Sequence, residues 1–197
     1  MDHLQIVWAE KVAQRVAGQS LFSSSLNTGI NGGSFKDNLT LALLANLGGH
    51  LHSEGANLSA KTATYLQDIQ KANTDQIVRI FDPKKPDTKL RVFGQLFESV
   101  DISNKSGTTK IFATQRLTDH EIRSYALSLT GGIPLQEVRT APGRFYAVLS
   151  DGSTVNLRNV SSSADITKAR WTIEIIGNKQ IEALQGKVKK KIEIKLQ

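Results

Sequence analysis

The chain has 197 residues, a hydrophobic fraction of 39% and a net charge of +7 at pH 7, so it can form one or two domains with an apolar core. It contains no cysteine, which excludes disulfides, thiolate metal sites and cysteine nucleophiles. No apolar run has the length of a membrane span, and the charged N-terminal stretch lacks the features of a signal peptide, so we expect export only within something larger or by a route that the chain does not encode.

The positive charge is concentrated in the C-terminal part of the chain. Residues 116–197 carry 13 Lys and Arg against 8 Asp and Glu, whereas residues 1–115 carry 12 against 10. Such an excess predicts an anionic partner, either a nucleic acid or an acidic protein. A basic surface that only keeps the chain soluble is the alternative.

The N-terminal part has helical patterns. Residues 4–17 place apolar side chains on one helical face, and residues 18–59 are rich in Gly, Ser and Asn around a short apolar helix, "LTLALLANL". Residues 61–81 are again helical in period, and the prolines of "DPKKPD" then break the chain. This organisation predicts a helical region over residues 1–80 and a second domain over residues 81–197.

The second domain begins ambiguously and then shows one clear helix. Residues 88–115 fit helix or strand. In "LTDHEIRSYALSLTGG", Thr118 and Glu121 form the pattern of a capping box, and Gly131 with Gly132 ends the helix.

Short strands follow this helix. The apolar patterns predict strands in "LQEVRT", "RFYAVLS", "STVNLRNV", "RWTIEII" and "KKKIEIKL". Asp151-Gly152 predicts a two-residue hairpin turn, and the alternation of the last run is typical of an exposed or edge strand. We therefore predict an α+β fold, in which an N-terminal helical segment precedes a helix packed on a four- to five-stranded antiparallel sheet.

Side chains alternate across a strand, so the apolar positions of these runs define one face and leave polar positions on the other. Guanidinium forks bind phosphate oxygens, hydroxyl groups can bond the remaining oxygens, and a tyrosine can stack on a base. The polar face therefore suits a phosphodiester, although polar residues on the wet face of a sheet need no function. The residues gathered on this face are Arg144, Tyr146, Asn156, Arg158, Arg170, Thr172 and Glu174, with Ser161, Ser162 and Ser163 in the loop at its rim and Arg139 near the same edge.

Other constellations are weak. His50 and His52 lie two residues apart with no third ligand close by, so we predict no metal and no cofactor. "GINGG" lacks the Lys-Ser/Thr ending of a phosphate-binding loop. His120, in the first turn of the capped helix, is a candidate general acid or base, and a plain surface position is the alternative.

Two stretches resemble known families. "SSLNTGINGGSFKDNLTLALLANLGGHLHSEGANL" resembles a segment of large secreted hemagglutinin-type exoproteins, which carry contact-dependent growth inhibition toxins at their tips. "APGRFYAVLSDGSTVNLRNVSSSADITKARWTIEI" is similar to polymorphic toxin domains and looks like the barnase/EndoU/colicin/RelE group of metal-independent ribonucleases. The resemblances imply a pre-toxin or entry region over residues 1–80 and a ribonuclease-like toxin domain over residues 81–197. The Val-Glu-Asn-Asn motif that usually links the two parts is missing.

The resemblance implies an endoribonuclease that cuts RNA, with transfer RNA the expected substrate, through attack by the 2′-hydroxyl group. It also implies an acidic cognate immunity protein, no stable membrane insertion of the toxin domain, and secretion within a larger exoprotein or an orphan cassette with action in the target-cell cytoplasm. The alternatives are a non-catalytic RNA-binding or adaptor module and a DNase toxin. The expected catalytic residues are Tyr146, His120, Arg158, Ser161, Ser162, Arg170 and Thr172, and the expected RNA-binding residues are Arg139, Arg144, Asn156 and Lys168.

Overall fold

A computed structural model describes Thr40, Leu44 and residues 60–100, 107–184 and 191–197. The helix predicted over residues 4–17 and the two histidines of "GGHLH" lie outside the described residues. Within the apolar run of residues 39–47, Thr40 and Leu44 are helical and buried, in agreement with the helix predicted there.

The described residues form four helices and one sheet of eight strands, which confirms the α+β fold with a helix packed on a sheet. Helix α1 corresponds to the helix predicted over residues 61–81, and the ambiguous region 88–115 contains three strands. The elements in chain order are α1 (Ala60–Ile80), β1 (Lys89–Val92), β2 (Gln95–Val100), β3 (Thr109–Phe112), α2 (Asp119–Leu129), β4 (Gln136–Glu137), β5 (Arg144–Val148), β6 (Thr154–Arg158), α3 (Ala164–Thr167), β7 (Trp171–Ile176), α4 (Lys179–Glu182) and β8 (Lys191–Leu196).

Strand β8 lies in the middle of the sheet. The strand order is β1-β2-β3-β8-β7-β6-β5-β4, and β8 pairs antiparallel with β7 and parallel with β3, the only parallel pair among the described strands. The expectation that residues 189–196 form an exposed or edge strand is therefore wrong. Apolar and charged residues alternate in this run because its isoleucines enter the core while its charged residues lie on the opposite face of the sheet.

The caps of α2 agree with the sequence pattern. The Thr118 hydroxyl accepts a hydrogen bond from the Glu121 amide, and the Glu121 carboxylate accepts one from the Thr118 amide. At the other end, the Gly132 amide donates to the Leu127 carbonyl, and Gly131 has a φ of +66°, which only glycine adopts readily. These contacts fix both ends of the helix that covers the apolar face of the sheet.

The hairpin between β5 and β6 forms where Asp151-Gly152 predicts it, but its turn is longer than two residues. The Leu149 amide donates to the Ser153 carbonyl, and the Gly152 amide donates back to the Leu149 carbonyl. Gly152 has a φ of +82°. This is a three-residue loop with the glycine in the left-handed position, the next most common hairpin geometry.

Helix α1 belongs to the same packed unit as the sheet. Ile77 and Ile80 are fully buried in one core with residues of α2 and of the strands. The Gln76 side chain donates to the Arg91 carbonyl and accepts from the Arg91 amide, so it satisfies the outer edge of β1 as a neighbouring strand would. The packed unit therefore includes the C-terminal end of α1 as well as the sheet.

We predict that Ile77→Ala lowers the free energy of unfolding by about 2–5 kcal/mol, because it leaves a cavity where α1 meets the sheet. The matched control is Gln67→Ala on the exposed side of the same helix, which should change this free energy by less than about 0.5 kcal/mol. Urea unfolding of the full chain measures both variants, and equal effects of the two would contradict the shared core.

Candidate nucleic-acid interface

Strands β6, β7 and β8 separate apolar from charged side chains. Val155, Leu157, Ile173, Ile192 and Ile194 are buried on the side that packs against α2. The alternate positions of the same strands lie on the opposite side, which we call the polar face. Its central residues are Asn156, Arg158, Thr172, Glu174, Glu193 and Lys195.

The register places these residues in two rows across the sheet. One row is Asn156, Glu174 and Glu193, and the next is Arg158, Thr172 and Lys195. The first row sets two glutamates directly opposite each other, an arrangement that repels unless cations compensate it. The two glutamates therefore need cations beside them on the polar face.

Two cations and one amide neutralise this repulsion. The Lys191 ammonium lies 2.8 Å from Glu174 and 3.5 Å from Glu193, and the Arg158 guanidinium lies 3.0 Å from Glu193. The Asn156 amide donates to the second Glu174 oxygen at 2.8 Å. We call these five residues the polar-face network. The network joins two acids and two bases on one side of the sheet.

The network changes the titration of its members. Burial by itself would raise the pKa of Glu174, but the hydrogen bonds from Lys191 and Asn156 and the nearby positive charges outweigh burial, so the pKa lies below its usual 4.5. The hydrogen bond to Glu174 raises the pKa of Lys191 above its usual 10.5, against a smaller opposing effect of burial. Both groups therefore stay charged over the neutral pH range.

The segment between β6 and β7, residues 159–170, folds over one end of the polar face, and we call it the serine bend. Lys195 lies beneath it with 4% exposure, and its ammonium donates to the Ser163 hydroxyl at 2.6 Å and to the Ser161 hydroxyl at 3.1 Å. Gln197 donates to the Thr167 carbonyl and ties the bend to the end of β8. Thr172 is 1% exposed in the same row as Lys195, so the bend covers it.

Arg158 and Arg170 do not meet at one phosphate. Arg158 donates to the Val160 carbonyl and to Glu193 on the polar face. Arg170 instead pairs with Asp119 at 2.7 Å and donates to the Thr114 and Leu117 carbonyls at the start of α2, which lies on the apolar side of the sheet. Within the described part of the chain the two guanidinium groups share no partner, and the contacts of Arg170 join β7 to α2.

The remaining predicted residues are exposed. Tyr146 and Arg144 lie on β5 opposite Asn156 and Arg158, so they extend the polar face away from β8. Arg139, Ser162 and Lys168 are exposed in loops or at the end of α3, and His120 is exposed in the first turn of α2. The structure therefore gathers Tyr146, Arg144, Asn156, Arg158 and Ser161 near the network, and it does not bring His120 or Arg170 into it.

Sequence reasoning missed Lys191, Glu193 and Lys195 as site residues. It placed Glu174 on the polar face but gave this residue no role. The available signal was the charged set of "KIEIKL", which alternates with isoleucines and shares a face with Arg158 once β8 pairs with β7. Among the described residues, no group of three or more His, Asp and Glu side chains is placed to hold a metal ion. None of the described helices combines the length and apolar character needed to cross a bilayer.

The N-terminal part of the chain is similar to a known family. Residues 4–79 match the family described as "Possible hemagglutinin (DUF637)", which relates the N-terminal part of the chain to hemagglutinin-type exoproteins. No curated protein and no solved structure matches the chain. The matched segment extends through most of α1, so its last residues include Ile77 of the core shared with the sheet.

We predict that Glu174→Gln flattens the acid limb of the stability profile. Because the pKa of Glu174 is lower in the folded chain, its contribution is present above the usual value of 4.5 and is lost as pH falls through the lowered pKa. Urea midpoints between pH 3 and pH 7 measure the profile. The matched control Glu182→Gln, on the exposed side of α4, should retain the wild-type slope, and an unchanged slope in Glu174→Gln would contradict the coupling.

We predict that Arg170→Met lowers the free energy of unfolding by about 1–3 kcal/mol, because it leaves the Leu117 and Thr114 carbonyls without their guanidinium donor. Thermal unfolding of the full chain measures the change. Arg139→Met, a change of the same charge at an exposed position, should alter stability by less than about 0.5 kcal/mol, and equal melting temperatures for the two variants would show that Arg170 does not hold β7 to α2.

Proposed function

We propose that the chain is a metal-independent endoribonuclease toxin of a hemagglutinin-type exoprotein, and that it cuts RNA, with transfer RNA as the expected substrate, on the polar face of the sheet. The Arg158–Glu193 pair is the observation that carries this proposal. It places a group that binds phosphate and a group that accepts a proton 3.0 Å apart, with side chains only 20% and 15% exposed.

The family match and the charge distribution support the same proposal. Exoproteins of the hemagglutinin type are the class in which a C-terminal toxin is expected, and residues 4–79 match that family. The basic residues are concentrated after residue 116, in the part of the chain that forms the polar face. A helix packed on a mostly antiparallel sheet also agrees with the ribonuclease group that the C-terminal sequence resembles.

The proposed reaction needs only groups on the RNA, groups on this chain and water. Glu193 accepts the proton of the 2′-hydroxyl group as the 2′-oxygen attacks the adjacent phosphorus. The P–O5′ bond then breaks, which leaves a 2′,3′-cyclic phosphate on one fragment and a 5′-oxygen, protonated by the surrounding water, on the other. Arg158 has more N–H donors than its contacts with Glu193 and Val160 use, so it can also bind a phosphoryl oxygen. Lys191 adds positive charge where the phosphoryl group becomes more negative, and donors of this kind contribute about 10²–10³-fold each.

The neighbouring exposed residues would bind the rest of the strand. Tyr146 is 37% exposed beside Asn156, a position from which its ring can stack on a base. Arg144 is exposed beside Arg158 and can contact the next phosphate. The contribution of Arg144 should therefore weaken as the salt concentration rises, and the contribution of Tyr146 should depend little on RNA sequence.

The proposal includes a partner and a place of action. An acidic immunity protein that covers the polar face would block RNA and would be attracted by the exposed basic residues around it. The chain would be carried by a larger exoprotein or an orphan cassette and would act in the cytoplasm of the target cell. Co-expression of an acidic partner should then restore growth that the chain alone stops.

We predict that Arg158→Ala lowers the rate of RNA cleavage by about 10²–10³-fold. Denaturing gels of total RNA incubated with the purified full chain measure the rate, and circular dichroism verifies that the variant is folded. The matched control is Arg91→Ala on β1, an exposed arginine at the opposite end of the sheet, which should cut at the wild-type rate.

The substrate separates the competing functions. RNA with a 2′-deoxy nucleotide at the mapped cleavage position should stay intact, because the attacking group is absent. Cleavage of that substrate or of DNA would point to a DNase, and tight binding of RNA without any cleavage would point to an adaptor module. Either result would overturn the proposed reaction.

A further inference from the structure

Lys195 is buried without a carboxylate partner. Its 4% exposure is unusual, because lysine is rarely buried unless it is paired with an acid. The hydrogen bonds of its ammonium group within the described residues go to the hydroxyl groups of Ser161 and Ser163. Burial lowers the pKa of Lys195, the nearby charge of Glu193 opposes this change, and Arg158 adds to it.

This arrangement does not serve stability well. A buried ammonium group loses its hydration, and two neutral hydroxyl groups replace only part of it. An aliphatic side chain would fill the same place without that cost. A buried group that is costly in this way is a candidate for binding or catalysis.

The cluster around Lys195 has more donors than acceptors. The ammonium group has one more N–H than its two serine contacts use, and each serine hydroxyl can donate its own proton while it accepts from the lysine. The Ser161 and Ser163 oxygens lie 3.2 Å apart, and that contact uses one hydroxyl proton. The Ser163 amide also points at the Ser161 oxygen, at 3.4 Å. The cluster therefore lacks a negatively charged acceptor.

The neighbouring strands indicate which anion fits. Arg158, Thr172 and Lys195 are cross-strand partners in one row, so a guanidinium group and an ammonium group face the same end of the polar face. A planar carboxylate has only two oxygens to share among these donors. A phosphate group has oxygens in a tetrahedral arrangement and can accept from the ammonium, the serine hydroxyls and the guanidinium together.

We propose that Lys195, Ser161 and Ser163 form a phosphate-binding subsite beneath the serine bend, adjacent to Arg158. The inference deepens the proposed function, because the phosphate bound here would be one of the RNA backbone next to the scissile linkage. The bend supplies the hydroxyl groups, and β8 supplies the cation.

The test uses inorganic phosphate as the probe and the full chain as the sample. Amide resonances of residues 161–168 are followed by NMR during phosphate titration, with sodium chloride at matched ionic strength as the reference. Wild type should show saturable shifts at these residues. Lys195→Met should weaken phosphate binding on the order of tenfold or more, which is the effect of losing one charge-assisted hydrogen bond.

Two further variants make the result specific. Lys84→Met removes the same charge from an exposed loop and should bind phosphate as wild type does. Ser163→Ala leaves the cation in place and should weaken binding less than Lys195→Met does. Without phosphate, Lys195→Met should melt at the wild-type temperature or above, because it removes a buried cation whose hydrogen bonds, within the described residues, go to hydroxyl groups and not to a carboxylate.

The outcomes separate the subsite from the nuclease. Three results would overturn the subsite. The amide resonances of Lys195→Met could shift with phosphate as those of wild type do, or sodium chloride could reproduce the wild-type shifts. The third result is a clear loss of stability in Lys195→Met without phosphate. Phosphate binding that depends on Lys195 in a chain that cuts no RNA would support the subsite and refute the proposed reaction. A Lys195→Met chain that no longer binds phosphate could still cut RNA at the wild-type rate. That result would support the nuclease and would show that Lys195 takes no part in cleavage.

Discussion

The position of β8 between β3 and β7 is the constraint on which the rest of the structure depends. Its backbone bonds on both sides, antiparallel to β7 and parallel to β3, and so it joins the first three strands to the other four. Its side chains alternate between Ile192 and Ile194 in the core and Glu193 and Lys195 on the polar face. One strand of six residues thus links the two halves of the sheet and supplies three of the charges on which the proposed chemistry depends, those of Lys191, Glu193 and Lys195.

The polar face is stabilised by several ion pairs and hydrogen bonds that offset the repulsion between two glutamates, rather than by a single strong bond. Two glutamates face each other across β7 and β8, and neither would be stable there without the cations beside it. Lys191 pairs with both carboxylates. Arg158 pairs with Glu193, and the Asn156 amide donates a hydrogen bond to Glu174. Because every member has a partner, the groups are held in place before any ligand arrives, and a bound phosphate would exchange one set of contacts for another.

Local sequence signals predicted the elements well. The capping box of Thr118 and Glu121, the glycines after α2 and the hairpin at Asp151-Gly152 all depend on residues close in sequence, and all three lie where the pattern places them. The alternation in β5, β6 and β7 also assigned the faces of Asn156 and Arg158 correctly. These features need no knowledge of which strands are neighbours.

Long-range pairing could not be read from the chain. The same alternation in "KIEIKL" fits an edge strand or a central one, and the difference depends on pairing with β3, about 80 residues earlier in the chain. The surroundings of Lys195 follow from the central position of β8. Arg170 directly precedes β7, and periodicity cannot reveal that Asp119 and two carbonyl groups hold it at the start of α2.

The parallel pairing of β3 with β8 also has a kinetic consequence. Contacts between segments so distant in sequence form late, because closing a long loop costs entropy before any contact repays it. Loss of β8 would divide the sheet and would remove Glu193 and Lys195 in the same event. The polar face therefore exists only in the fully assembled sheet, and a partly unfolded chain would regain it in one cooperative step.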